Sequence, residues 1–192
     1  MRPEQQQLLS AIREYYATTA YSHKIHEKQR EIYSDVVWWV KWLNVILTTL
    51  TMVTVILSIL LVSNWANVVS AIVAAITTLF AVYRLSFSPE DDVQAHRRTA
   101  KALLIHRQRL ALLIERCMSP NANLDEIRKE YEVIVNEVGR IYAEAPETSS
   151  NAYVKAQNAL KNNEELTFSV KEIDLFLPQE LRLEKGSSVK AP

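Results

Sequence analysis

From Trp42 to Tyr83 the chain carries no Asp, Glu, Lys, Arg or His, an uncharged run of 42 residues. As one helix rising 1.5 Å per residue the run would extend about 63 Å, roughly twice a hydrocarbon core of about 30 Å, so it has to fold back as two spans. A chain built around such a run is not expected to be a soluble enzyme.

The first span reads Leu43 to Val62 and follows Trp38, Trp39, Lys41 and Trp42. Indole rings settle at headgroup level and a lysine stem can snorkel outward, so the helix enters the membrane near Trp42. The second span runs from Ala66 to Tyr83 and meets Arg84, with Tyr83 as the matching anchor. Ser63, Asn64 and Trp65 form the turn between them, too short for anything but antiparallel neighbours. Lys24, Lys28, Arg30 and Lys41 lie before the hairpin and Arg84, Arg97, Arg98 and Lys101 after it, while the turn has no basic residue. The excess of basic residues marks the cytoplasmic side, so both termini are expected there.

Within the spans, Asn44, Thr48, Thr51 and Ser58 share one helical stripe with Thr54 adjacent, and Ser70, Ala74, Thr77 and Ala81 form a small-residue face on the second helix. Two readings fit. Small and hydroxylated faces let helices approach and bond across an interface. Alternatively, copies of the hairpin assemble so that Asn44, Thr48, Thr51 and Ser58 line a water-filled path. With no ring of charge, such a path would be nonselective, and with no ionisable group near the midplane, coupled transport is not expected.

The flanking segments read as helices. Glu4 to about Ser34 has no Gly or Pro and repeats Leu8, Ile12, Tyr15, Tyr16, Ile25 and Ile32, a helix that can run into the first span. Ser88-Pro89-Glu90-Asp91 is a helix start, with Ser as cap, Pro at the first position and acids at the positive end of the dipole. That helix continues to about Cys117, with Val93, Ala100, Leu103, Leu104, Leu110 and Ile114 on its buried side. After Ser119-Pro120-Asn121, the residues Leu124, Ile127, Tyr131, Ile134, Val138 and Ile141 form a heptad seam. The seam is expected to pack on the preceding helix and to offer a surface to a second copy. Ser149 or Ser150 opens a helix through Asn163 with Tyr153, Ala156 and Leu160 inward, and Ser169 to Glu172 reads as a capping box before Pro178. The fold class is thus an all-α membrane protein. Residues 1–35 form an N-terminal cytoplasmic helix, 36–84 a transmembrane hairpin, 85–183 a cytoplasmic helical cap, and 184–192 a small, polar tail read as disordered.

Chemistry has little foothold. His23 and His26, with Glu27 beside them, are spaced for a metal, but no third ligand is evident, so they read as exposed juxtamembrane histidines with no metal. His96-Arg97-Arg98 and His106-Arg107 with Arg109 are basic clusters that could meet anionic headgroups but read more simply as a solvated helix face. Two glycines cannot build a phosphate loop or nucleophile elbow, and neither a catalytic residue nor a cofactor is expected. Lys and Arg total 22 against 22 Asp and Glu, so no general affinity for nucleic acid is expected either. Cys117 is the single cysteine, which leaves no intrachain disulfide and no need for an oxidising compartment. The apolar run starts too late and is too long for a cleavable signal and is expected to stay in the mature protein.

The aromatic approach Val36-Val37-Trp38-Trp39, the tight hairpin, the long helix from Pro89 and a cap containing Ala145-Pro146-Glu147-Thr148-Ser149-Ser150 and Tyr153 to Ala156 together resemble the SLATT domains. These are two-transmembrane effectors associated with SMODS nucleotidyltransferases and SLOG sensor domains in bacterial conflict systems. The resemblance covers roughly Leu8 to Leu177. It implies an inner-membrane effector that forms a homo-oligomer, permeabilises the bilayer and causes growth arrest or death after infection. With no sensor domain read in the chain, the signal would come from a separate partner or a diffusible nucleotide. A membrane-anchored scaffold that recruits cytoplasmic partners without forming a pore is the alternative.

Overall fold

The computed structural model describes residues 1–61 and 63–183. It is all-helical: α1 is Pro3–Leu61, α2 Asn64–Ser86, α3 Pro89–Met118, α4 Leu124–Glu144, α5 Ser150–Lys161 and α6 Val170–Phe176, followed by a 3₁₀ turn at Gln179–Leu181. The expected tail from Glu184 onward and Val62, the last residue expected in the first span, lie outside the described residues.

The N-terminal helix and the first span are one helix of 59 residues, which at 1.5 Å per residue is about 88 Å long. It is the spine of the molecule. α2 packs against its far half, α3 and α5 against its near half, and α4 packs chiefly on α3. From Gln5 to Ser58, positions spaced alternately four and three residues apart are all buried or half-buried. They run Gln5, Leu9, Ile12, Tyr16, Thr19, His23, His26 and Arg30, then Tyr33, Val37 and Val40, then Asn44, Leu47, Thr51, Thr54 and Ser58. Between Lys41 and Leu61 no other residue is covered. A 3.5-residue repeat keeps one seam facing its partner only if the helices coil about each other, so α1 and its antiparallel partners pair in the manner of a coiled coil.

The partner strip is made of two helices. Ser63 at the N-cap and then Ala66, Ser70, Val73, Thr77, Phe80 and Arg84 of α2 keep the same alternation, and α3 presents His96, Thr99, Leu103, His106, Leu110, Leu113 and Cys117. The phase resets at Phe87-Ser88, where the chain leaves helical geometry for two residues. Pro89 starts α3 as expected, but Ser88 makes no side-chain cap; Glu90, Asp91 and Asp92 supply the negative charge at the helix start.

The apolar core lies in the cap, where Ile12 belongs to one buried cluster with Leu103, Leu110, Leu113, Cys117, Ile127, Ile134 and Val138. Here the structure corrects the seam on α4. Leu124, Ile127, Ile134 and Val138 are buried inside the chain, with Tyr131 and Ile141 packed against the same core. The turn at 119–123 is short enough to bring α4 back on α3, so this face is spent within one copy and is not free to meet a second. Tyr153, expected inward, is 49% exposed. The buried face of α5 is instead Ala152, Ala156 and Ala159, whose small side chains let the helix approach α1 closely. Ser149 caps α5, and the capping box at Ser169 and Glu172 forms as expected.

Candidate functional site

The hairpin, its girdle and the buried layer beneath it share α1, and together they make the candidate site. In the hairpin the hydroxyl stripe divides. Thr51 Oγ1 and Thr77 Oγ1 lie 2.8 Å apart across the α1–α2 interface; one hydroxyl donates to the other, and the accepting one keeps its proton for the carbonyl of its own preceding turn, Leu47 O for Thr51 or Val73 O for Thr77. Asn44, Thr54 and Ser58 are half-buried on the same side. Thr48 turns away and is exposed, its hydroxyl bonded to Asn44 O at 2.8 Å. On α2, Ser70 is buried and Thr77 half-buried, while Ala81 is exposed. The stripe is therefore first a helix–helix contact, with Thr48 at its open edge.

Large apolar side chains cover the outside of both spans, and the most apolar 18-residue stretch of α1 has no buried residue. Trp38, Trp39 and Trp42 stand exposed as a cluster, with the rings of Trp38 and Trp39 edge to face at 4.7 Å. Tyr83 is exposed at the same end of the hairpin, and Arg84 is half-buried with Glu90 at 4.0 Å. These are the residues expected from the sequence as interfacial anchors, and they gather at one end of the hairpin.

Below the girdle the seam turns polar. His23 and His26 are buried, not exposed, because they occupy seam positions that face α3. His26 Nδ1 lies 2.9 Å from Nδ1 of His96, which is 1% exposed, so one ring must donate and the other accept. The Tyr33 ring stacks on His96 with centroids 5.6 Å apart. Burial pushes His26 down to about 4, with repulsion from His96 and His23 adding to it. His96 is lowered by burial, against a smaller opposing pull from Asp92. His23 Nδ1 is 2.9 Å from Ala100 O, and burial lowers its pKa despite that bond and Glu27. The neutral ring thus donates to the carbonyl.

Lys24 sits beside this layer with its Nζ 2.9 Å from Glu27 and 2.7 Å from Glu165. Burial alone would lower its pKa, but hydrogen bonds to Glu165 and Glu27 outweigh burial and raise it. Glu164 has φ 50°, in the left-handed region, which turns the chain after α5 and brings Glu165 to Lys24 and Lys28. Gln29 completes the layer. Its Oε1 accepts from Ser149 N at 2.8 Å and Ser149 Oγ at 2.7 Å, tying the start of α5 to α1.

The remaining basic residues are not one surface. Arg97 and Arg98 are exposed, Arg109 pairs with Glu137, and His106 is half-buried 3.6 Å from Glu137, its pKa lowered by burial. Among the described residues no three His, Cys, Asp or Glu side chains converge as metal ligands. Sequence reasoning missed His96, Ser149 and Glu165 as partners of His26, Gln29 and Lys24 on α1. The histidine signal was there: His96, Leu103, Leu110 and Cys117 are seven apart, as are Ile12, Thr19 and His26.

No curated protein and no solved structure matches the chain. A family match covers residues 8–172, which spans α1 from its first buried leucine through the hairpin, α3, α4, α5 and the start of α6. Its description, a two-transmembrane effector domain, agrees with the two long apolar helices and the girdle at their base. The chain belongs to the SMODS and SLOG-associating 2TM effector domain family 4.

Proposed function

We propose that this protein is the membrane-acting component of a bacterial conflict system: signalled through its cap by a separate sensor or a nucleotide, its hairpins assemble in the inner membrane, permeabilise it and arrest growth. The observation that carries this reading is the continuity of α1 from Pro3 to Leu61. One rigid rod belongs to both cap and hairpin, so a shift of the cap against α1 displaces the first span without a hinge. The polar layer is the contact that such a shift would have to repartner, since His23, His26 and Gln29 each hold a discrete hydrogen bond from α1 to the cap helices. The basic residues that flank the hairpin and are absent from its turn support a topology with both termini in the cytoplasm.

In this mechanism the lumen is formed by neighbouring hairpins, with Thr48 at the open edge of the stripe and Asn44 and Ser58 behind it. Thr51 holds α2. The test is membrane depolarisation normalised to inserted protein for Thr48→Leu, Ser58→Leu, Val53→Leu and Ile56→Leu. Leakage is expected to fall for the first two and to stay near wild type for the others, since leucine narrows or dewets a lumen but changes little on a lipid-facing side. Equal leakage in all four would favour the second reading, a membrane-anchored scaffold. The Thr51–Thr77 contact supports that alternative, since it engages part of the stripe in packing.

A further inference from the structure

A cleft of about 510 Å³ opens at the girdle, where α1 passes the link between α2 and α3. Tyr33 and Val40 line one side, Tyr83 and Arg84 the other, and Asp91 and Asp92 close the end nearest the cap. Arg84 ends α2 at the hairpin and Asp91 and Asp92 open α3 toward the cap, with Val40 facing them from α1. A phospholipid whose headgroup carries an amine presents its phosphate and then its ammonium in that same order. Arg84 has only a loose partner, Glu90 at 4.0 Å, and its fork matches a phosphate. An anionic headgroup without an amine would satisfy Arg84 but bring no cation to the carboxylates.

We propose that this cleft seats the headgroup of a zwitterionic phospholipid bearing a primary ammonium, with the phosphate at Arg84 and the ammonium toward Asp91 and Asp92. The site rests on insertion of the hairpin, and it fixes the height of the α2–α3 link relative to the bilayer. Such a lipid clamps the point at which the two partner helices of α1 change phase, and its loss would free the cap to move against the hairpin.

Native mass spectrometry of the full chain in mild detergent, titrated with phosphatidylethanolamine and phosphatidylglycerol of identical acyl chains, tests the site. The ethanolamine lipid is expected to bind about five-fold more tightly, the size of one favourable exposed ion pair. Asp91→Asn with Asp92→Asn should abolish the preference, Arg84→Gln should weaken both lipids, and Arg84→Lys should recover part of that loss. Circular dichroism checks that each variant keeps its helices, and Asp91→Asn alone replaces a double variant that does not. Equal affinities, no binding of either lipid, or a preference unchanged in the aspartate variants would overturn the headgroup site. Carbonate extraction of the wild type from membranes would overturn insertion itself, an outcome read separately from the titration.

Discussion

His26 and His96 hold α1 to α3 through a single N–H···N bond, and the bond survives only while at least one ring is neutral. The folded pKa of His26, about 4, lies below the ordinary value of 6.5, and those of His23 and His96 are lowered too. The unfolded chain therefore binds more protons between those limits. Stability is fully present above about pH 6.5 and is lost as pH falls toward 4, by about 3 kcal/mol at most for His26. Asp92 beside His96 and Glu27 beside His23 soften the loss. Thermal unfolding between pH 7 and pH 4 should show this decline, and His26→Leu with His96→Phe should flatten it; a wild type insensitive over the range would contradict the account. Gln29 makes a second prediction. Gln29→Ala leaves the Ser149 N–H without its partner, which should cost about 1–3 kcal/mol and raise amide exchange at Ser149 to Ala152. The seven-residue spacing of each histidine with apolar residues marked its seam position, but neither pairing was legible in the sequence, because a polar residue on a seam looks like a surface residue until the facing helix is known.

At the level of elements, the hairpin interface is set by the alternation Asn44, Leu47, Thr51, Thr54, Ser58 against Ser70, Val73, Thr77 and Phe80. Cysteines replacing Thr51 and Thr77, with Cys117 changed to Ala, should crosslink within one chain on oxidation. The Thr48→Cys and Thr77→Cys pair should not, since Thr48 turns away from α2. Crosslinking of the second pair in preference to the first would show that the hairpin register is wrong. Element boundaries were largely readable from sequence: Pro89 starts α3, Ser149 caps α5 and Ser169 with Glu172 opens α6, because caps and prolines act within a turn of their own position. The long seam of α1 was not. Glutamine, tyrosine, threonine, histidine and arginine fill it below the girdle, so a search for apolar heptads passes over it and stops instead at α4.

For the whole molecule, the cap core and the hairpin are one continuous antiparallel pairing, buttressed by α4 and α5. Ile134 is fully buried in that core. Ile134→Asp should therefore unfold the cap through a buried unpaired charge, and Ile134→Ala should cost about 2–5 kcal/mol. Both effects should appear in dilute detergent at any protein concentration; destabilisation that vanished on dilution would instead return the α4 seam to an interface between copies. Reporter fusions at either terminus should be active on the cytoplasmic side.

The sequence by itself determined that the chain is helical, that it holds two apolar spans joined by a tight turn, and where aromatic and basic anchors bound them. Hydropathy, charge and capping are sums over neighbouring residues, and they need no partner to be read. Tertiary structure decided which face of each helix is spent inside the chain. It turned the α4 seam inward, paired Thr51 with Thr77 while leaving Thr48 outside, and buried His23, His26 and His96 together. Those outcomes depend on which helix arrives opposite and in what phase, and phase is a relation between segments from 26 residues apart at Thr51 and Thr77 to 70 and more at the histidines, which no local pattern contains.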